Sequence, residues 1–171
     1  MRVTGGMLRN KNILMKAPKG IRPTASRVRE ALFSMLGQDL SEMTFLDAFG
    51  GSGIIGIEAY SRGATVTISE QRRGAFLSIS KLVASEGWSI NVVCGNAMTQ
   101  LEKKWDLIFM DPPYDYDPLP WLEQACSSVL DTLVFEHAST TSMPDHVGEL
   151  IKTKARQYGD CSLSFYEIAK N

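Results

Sequence analysis

The chain has 171 residues, 44% of them hydrophobic and 22% charged, which suits one compact domain with a real core and excludes a disordered chain. No apolar run approaches the roughly 20 residues that a membrane helix needs, and the opening Met1-Arg2-Val3-Thr4-Gly5-Gly6 lacks the apolar centre of a secretion signal. The net charge of −1 hides an asymmetry: residues 1–30 hold eight basic side chains against one acid, a net of +7, leaving −8 for residues 31–171.

A basic arm on an acidic body suits a polyanion gripped at one end, with a solubilising terminus as the plain alternative. Cys94, Cys126 and Cys161 are odd in number and form no C-x-x-C pair. They read as reduced thiols, mostly in the core of a cytoplasmic protein, with no metal site.

Residues 1–23 are punctuated by Gly and Pro, with one strand-like stretch at Asn12-Ile13-Leu14-Met15. They are taken as a basic N-terminal arm, and residues 24–171 as a Rossmann-like core. Thr24 can cap a helix whose apolar positions Val28, Ala31, Leu32, Met35 and Leu36 share one face, with Gly37 closing it. Strands are then predicted over 44–47, 64–69, 90–94, 105–110 and 132–136. Helices are predicted over 54–62, 73–86, 98–103 and 119–130, with Gly63 and Gly87 as stops. This βαβαβ rhythm predicts a mainly parallel sheet covered on both faces. The runs 151–158 and 162–168 flank Gly159-Asp160 and predict a hairpin that adds antiparallel pairing at one edge.

The stretch DAFGGSGIIG (47–56) follows the first core strand and opens a helix. Gly51-x-Gly53-x-x-Gly56 matches the dinucleotide fingerprint, in which glycines let ligand atoms approach the backbone. Glu70, at the end of the second strand, lies where a carboxylate can hold ribose hydroxyls. Enzymes using NAD and enzymes using S-adenosylmethionine share that arrangement, and a tight turn without ligand is the structural alternative. Asp47 tilts the choice, because a carboxylate ahead of the loop repels a pyrophosphate but suits a ligand carrying an ammonium and a sulfonium. Phe49, Gly50, Gly51 and Gly53 complete the predicted cofactor loop, and Asn96-Ala97 closes the third strand in the same layer, where the amide can reach an adenine edge.

The fourth strand ends without a linker in Asp111-Pro112-Pro113-Tyr114. In an open α/β sheet this is the crevice where ligands bind, near the switch point between the first and fourth strands. An exocyclic amine on a base is a poor nucleophile, because its lone pair is delocalised into the ring. The Asp111 side chain and the Pro112 carbonyl can accept its two N–H groups and aim the lone pair, Pro113 stiffens the turn, and Tyr114 can stack on the base. A Pro-Pro turn that merely caps a strand is the alternative.

Gly5-Gly6, RPTASRVREALFSML (22–36), DAFGGSG (47–53), SRGA (61–64) and DLIFMDPPY (106–114) together resemble the bacterial 16S rRNA guanine-N2 methyltransferases of the RsmD type. The resemblance runs from the N-terminus through Tyr114 and more loosely through the hairpin. It implies a class I methyltransferase fold, with a mostly parallel seven-stranded sheet and an antiparallel edge hairpin. It also implies S-adenosylmethionine as donor and a guanine of small-subunit RNA as acceptor. It puts Asp47, Gly50, Gly53 and Glu70 on the cofactor and Asp111 to Tyr114 on the target amine. Gly50 stands where the family usually has Ala, a change expected to be harmless, and Asn96 stands where an acid is usual.

The alternatives are an adenine-N6 methyltransferase, which also uses D-P-P-Y, a nicotinamide-dependent oxidoreductase, and a non-catalytic RNA-binding assembly factor. The expected partner is 16S rRNA or the small ribosomal subunit, with no membrane and with the protein as a monomer. Arg2, Arg9, Lys11, Arg22, Thr24 and Arg27 are the expected RNA contacts. His137 and His146 are assigned no role, and Arg72-Arg73 and Lys103-Lys104 read as solvated faces.

Overall fold

The computed structural model describes residues 1–15, 25–113 and 115–169. Arg22, Thr24 and Tyr114, named above, lie outside the described residues.

Five parallel strands, β1 (Thr44–Asp47), β2 (Thr65–Glu70), β3 (Asn91–Cys94), β4 (Trp105–Met110) and β5 (Val129–Ala138), form one side of the sheet. Helices α1 (Ser26–Leu36), α2 (Ile54–Ser61), α3 (Arg73–Glu86), α4 (Ala97–Gln100) and α5 (Leu119–Ala125) precede or connect them. Three antiparallel strands complete the sheet: β6 (His146–Val147), β7 (Leu150–Tyr158) and β8 (Cys161–Ile168). The order is β3-β2-β1-β4-β5-β8-β7-β6, so the chain reverses direction of travel between β1 and β4 and opens a crevice at their carboxyl ends. The predicted seven strands are joined by β6, a two-residue strand too short to show periodicity.

Alternation along each strand builds a core on both faces. Phe45, Phe109, Val134 and Phe165 pack with α1 and α2 on one face. Leu46, Ile108, Leu133, Phe135 and Tyr166 pack against Leu122 and Ala125 of α5 on the other. Strand pairing overrides two predicted boundaries. The helix predicted to reach residue 130 ends at Ala125, because Ser128 turns the chain and Val129 pairs with Trp105. The helix predicted over 98–103 shrinks to one turn, capped by the Asn96 side chain on the Met98 N–H at 2.9 Å. Helix α1 begins one residue after Ala25, which caps it without a side-chain bond.

The first 13 residues form a hairpin anchored in the core by Val3 and Ile13. The predicted strand 12–15 is reduced to one bridge between Arg2 and Asn12, within a tight hairpin closed by Val3 N–H to Lys11 O at 3.0 Å. Val3 and Ile13 are buried. Gly6 lies against α2 so closely that a Cβ there would be 1.9 Å from the Ser61 carbonyl oxygen. Beneath the hairpin the fully buried Glu58 carboxylate accepts the Thr4 N–H (2.9 Å), Thr4 Oγ1 (2.9 Å), Arg62 Nη1 (2.6 Å) and Arg29 Nε (3.4 Å). Arg29 also reaches the Arg2 carbonyl at 2.9 Å.

The basic arm is therefore less available than a charge count suggests. Arg29 is buried in this ion cluster, and Lys11 is paired with Glu86 at 2.6 Å and lies over the Trp88 ring. Arg2, Arg9 and Arg27 are exposed.

Glu58→Ala leaves two buried guanidinium groups without their shared carboxylate and is expected to cost about 3–5 kcal/mol, measured by urea unfolding. A change below about 1 kcal/mol would show that the cluster does not hold the hairpin on α2.

Candidate active site

A cavity of about 610 Å³ lies at the carboxyl ends of the parallel strands. Asn96 and Ala97 line it after β3, Glu70 and Arg72 at the end of β2, and Phe49 to Ser52 after β1. Asp111 to Pro113 line it after β4, and Glu136 lines it from β5. Its wall also includes Ala25 and Val28 of the α1 entry, with Tyr158, Asp160 and Cys161 at the β7–β8 turn.

The glycine loop is tied down by backbone bonds at every step. Ala48 N–H continues the β1–β4 ladder to Phe109 O at 3.0 Å, and Gly50 N–H reaches Ser69 O at 2.7 Å. Gly51 (φ 58°) donates to Glu70 Oε2 at 2.8 Å, and Gly53 (φ 76°) starts α2. A Cβ at Gly56 would lie 2.5 Å from Ile68 Cγ1, so this glycine sets how closely α2 approaches β2. The same side chain makes Gly50 more than a harmless departure. A Cβ there would lie 2.6 Å from Ile68 Cγ2, so an alanine requires Ile68 to move.

Asp47 is 1% exposed and stands behind the loop. Its Oδ2 accepts the Gly56 N–H at 3.1 Å, and Oδ1 has no hydrogen-bond partner among the described residues. Burial pushes its pKa up to about 7, and Glu70 adds to the shift by charge repulsion.

Glu70 is buried but well satisfied, accepting from Gly51 and from the Arg72 backbone at 2.7 Å and Nε at 3.2 Å. Arg72 is exposed, in keeping with a solvated face, and it also stands on the cavity wall as the partner of Glu70. Asn96 spends its side-chain oxygen on the α4 cap, leaving the amide NH₂ as its remaining donor group at the cavity.

Asp111 closes the other side. Burial pushes its carboxyl well above the usual carboxylate range, with repulsion from Glu136 and then Asp47 adding to the effect. Pro113 O accepts the Tyr116 N–H at 3.1 Å and so folds the chain back after the double proline. Beyond this turn Trp121 packs edge-on to Phe49 at 4.9 Å and stacks with Tyr116 at 6.5 Å, bracing the two loops against each other.

The cavity thus brings together Phe49, Gly50, Gly51, Glu70, Asn96, Ala97, Asp111, Pro112 and Pro113 from the expected residues. Arg2, Arg9 and Lys11 belong to the N-terminal hairpin and are not on its wall. Glu136 and Arg72 were missed. For Glu136 a signal existed, since LVFE (133–136) ends a strand in an acid just as LIFMD (107–111) does. His137 is bonded to Ser164 Oγ and Ala138 O, and burial lowers its pKa, which fits a structural role. Cys94 is exposed rather than in the core.

The donor set fits a cationic ligand better than an anionic one. Asp47, Glu70, Asp111 and Glu136 face or underlie one cavity, an orphaned carboxylate oxygen sits behind the glycine loop, and Arg72 is already committed to Glu70.

Fold and site together define the class I methyltransferase fold. The E. coli structure described as "Putative methyltransferase yhhF" superposes with a TM-score of 0.84 at 27% identity, covering 100% of this chain and 99% of that one. The chain belongs to the family described as "Conserved hypothetical protein 95", whose model matches residues 1–167. It is 36% identical over 119 residues to the "Ribosomal RNA small subunit methyltransferase D" of Escherichia coli strain K12, a match spanning 67% of this chain and 60% of that protein. It is 30% identical over 185 aligned positions to the "Putative rRNA methyltransferase YlbH" of Bacillus subtilis strain 168, covering 98% of both chains. No helix among the described residues is long and apolar enough to cross a membrane.

A carboxyl whose folded pKa lies above its unfolded one holds more protons folded than unfolded between those values. For Asp47 that interval runs from 3.8 to about 7, so its stabilising contribution is whole below 3.8 and is lost as pH rises through about 7. The expected slope is about 1.4 kcal/mol per pH unit for each such carboxyl. Asp47→Asn should remove one carboxyl's share, read from urea unfolding across that pH range, and an unchanged slope would contradict the assignment.

Proposed function

We propose that the chain is an S-adenosylmethionine-dependent methyltransferase acting on the exocyclic N2 amine of a guanine in 16S ribosomal RNA. One observation carries this reading: Asp111-Pro112-Pro113 and the glycine loop, from adjacent strands β4 and β1, line the same cavity at the switch point. The relatives' names, which refer to methyl transfer to ribosomal RNA, support the substrate class.

Glu70 and the Gly50–Gly51 backbone would hold the ribose and amino-acid parts of the donor, Asn96 and Ala97 the adenine, and Asp47, from behind the loop, would favour its positive charge. When bound, the donor supplies a methyl group on a sulfonium, an electrophile that needs little further activation. The protein's task is then to present the amine. The Asp111 carboxyl and the Pro112 carbonyl accept its two N–H groups and turn its lone pair towards the methyl, and the prolines hold both acceptors without entropy loss. Tyr114 is assigned to stacking on the extruded base. The acid-lined cavity disfavours a pyrophosphate, which argues against the oxidoreductase alternative.

Arg2, Arg9, Arg22, Thr24 and Arg27 are assigned to RNA contacts, with Lys11 contributing only if it releases Glu86. We take the protein to act as a monomer in the cytoplasm, on 16S rRNA or the small ribosomal subunit.

Incubation with labelled donor and unmodified small ribosomal subunits, followed by nucleoside analysis, is expected to yield N2-methylguanosine. No label in guanosine would overturn the reading. In the same assay Asp111→Asn should keep part of the activity and Asp111→Ala should lose most. The missing hydrogen bond is worth about 1.5–3 kcal/mol, or roughly one to two orders of magnitude in rate. Equal and complete loss in both would make Asp111 a proton acceptor in the reaction instead.

Neutralising Arg2 and Arg9 together should weaken RNA binding and flatten its salt dependence, by about 0.7 for each single-strand phosphate that is no longer neutralised. Filter binding across a salt series would read this, and a wild-type slope would leave the hairpin cations without an RNA role.

A further inference from the structure

Glu136 is the buried cavity residue that the reading above leaves without a task. It belongs to β5, is 5% exposed, and lines the same cavity as Asp111. Parallel register pairs Phe109 with Val134 and Met110 with Phe135, so one step further Asp111 stands beside Glu136 on the same face of the sheet. The repulsion that Glu136 exerts on Asp111 reflects that proximity.

Strand order then says which part of the reaction Glu136 serves. Along the carboxyl edge the wall residues run from Asn96 after β3 through Glu70 in β2, Gly50 after β1 and Asp111 after β4 to Glu136 in β5. With neighbouring strands about 4.8 Å apart, β5 lies about 14 Å from β2. Glu136 is thus far from the nucleoside end of the donor site and next to the amine clamp. A residue there meets the acceptor base.

The chemistry of purine edges gives that position a consequence. Beside its N2 amine, guanine presents the N1–H, a donor. Beside its N6 amine, adenine presents bare N1, an acceptor. A carboxylate can only accept. The Asp111–Pro112 clamp by itself receives either amine, so it cannot choose between these bases.

We propose that Glu136 accepts the N1–H of the target guanine and thereby selects guanine N2 over adenine N6, an assignment that rests on the methyl-transfer reading above. A base with an acceptor at N1 sets its lone pair against a buried carboxylate in place of a donor, which is how polar sites reject near-isosteres most strongly.

2-Aminopurine removes this hydrogen bond while keeping the N2 amine, because it carries bare N1; it also lacks O6, and the Glu136→Gln variant, which alters only the N1 contact, separates the two losses. Once the guanine methylated by the wild-type chain is located in unmodified small subunits, RNA carrying guanine or 2-aminopurine at that position can be reconstituted into the subunit. The wild-type chain should methylate the 2-aminopurine form roughly 10- to 100-fold more slowly. Glu136→Gln offers N1 an NH₂ donor, so at saturating donor it should lose a similar factor on guanine and narrow or invert the guanine-to-2-aminopurine preference.

Binding of short single-stranded RNAs carrying the two bases, read by fluorescence anisotropy without donor, should follow the same order. Equal wild-type rates on the two bases, or a Gln variant that keeps the wild-type preference, would overturn the role of Glu136 and leave the methyltransferase reading standing. A wild-type chain that transfers no methyl to guanine would overturn both.

Discussion

The rest of the site depends on the burial of one carboxylate, that of Asp47. It sits where β1 gives way to the glycine loop, and it accepts the backbone N–H of Gly56, in the first turn of the helix that the loop opens. That bond ties the end of β1 to the start of α2 across the loop. It does not satisfy the whole group, because Oδ1 is left without a partner among the described residues. An isolated charge at that depth is costly, so the site either takes up a proton or takes up a ligand that brings positive charge. Parallel register adds to the demand by setting Asp111 and Glu136 side by side on the neighbouring strands.

A second buried cluster fixes the frame in which this happens. Glu58 lies on α2, the helix opened by the glycine loop, and it binds the N-terminal hairpin through Thr4 and α1 through Arg29. The entry of α1 supplies Ala25 and Val28 to the cavity wall. The hairpin, the helix after the loop and one wall of the cavity are therefore joined through one carboxylate. In this frame the exposed cations Arg2, Arg9 and Arg27 are held in fixed relation to the cavity rather than carried on a loose tail.

Much of this was legible from local chemistry. The boundaries of β1, β4 and α3 follow from apolar runs ended by an acid, a proline or a glycine, and the glycine loop and strand-end prolines announce a ligand site. What stayed hidden depends on partners distant in sequence. Val129 and Leu130 read as the end of a helix because nothing local says that Trp105 will pair with Val129. Counting charges cannot separate Arg29, buried against Glu58, from Arg27, exposed two residues earlier. Gly50 looks interchangeable with alanine until Ile68 is seen to fill the space. Glu136 gains meaning only through the register that sets it beside Asp111. In each case residue type is written in the sequence, whereas the neighbour that gives it a role is supplied by the sheet.

The central claim, that the cavity holds buried carboxyls awaiting a cation, is most directly tested by titration calorimetry of S-adenosylmethionine binding in buffers of different ionisation enthalpy near neutral pH. The account predicts proton release on binding, affinity that rises with pH as Asp47 ionises near 7, and a smaller release in Asp47→Asn. Binding without proton exchange and with pH-independent affinity would contradict it.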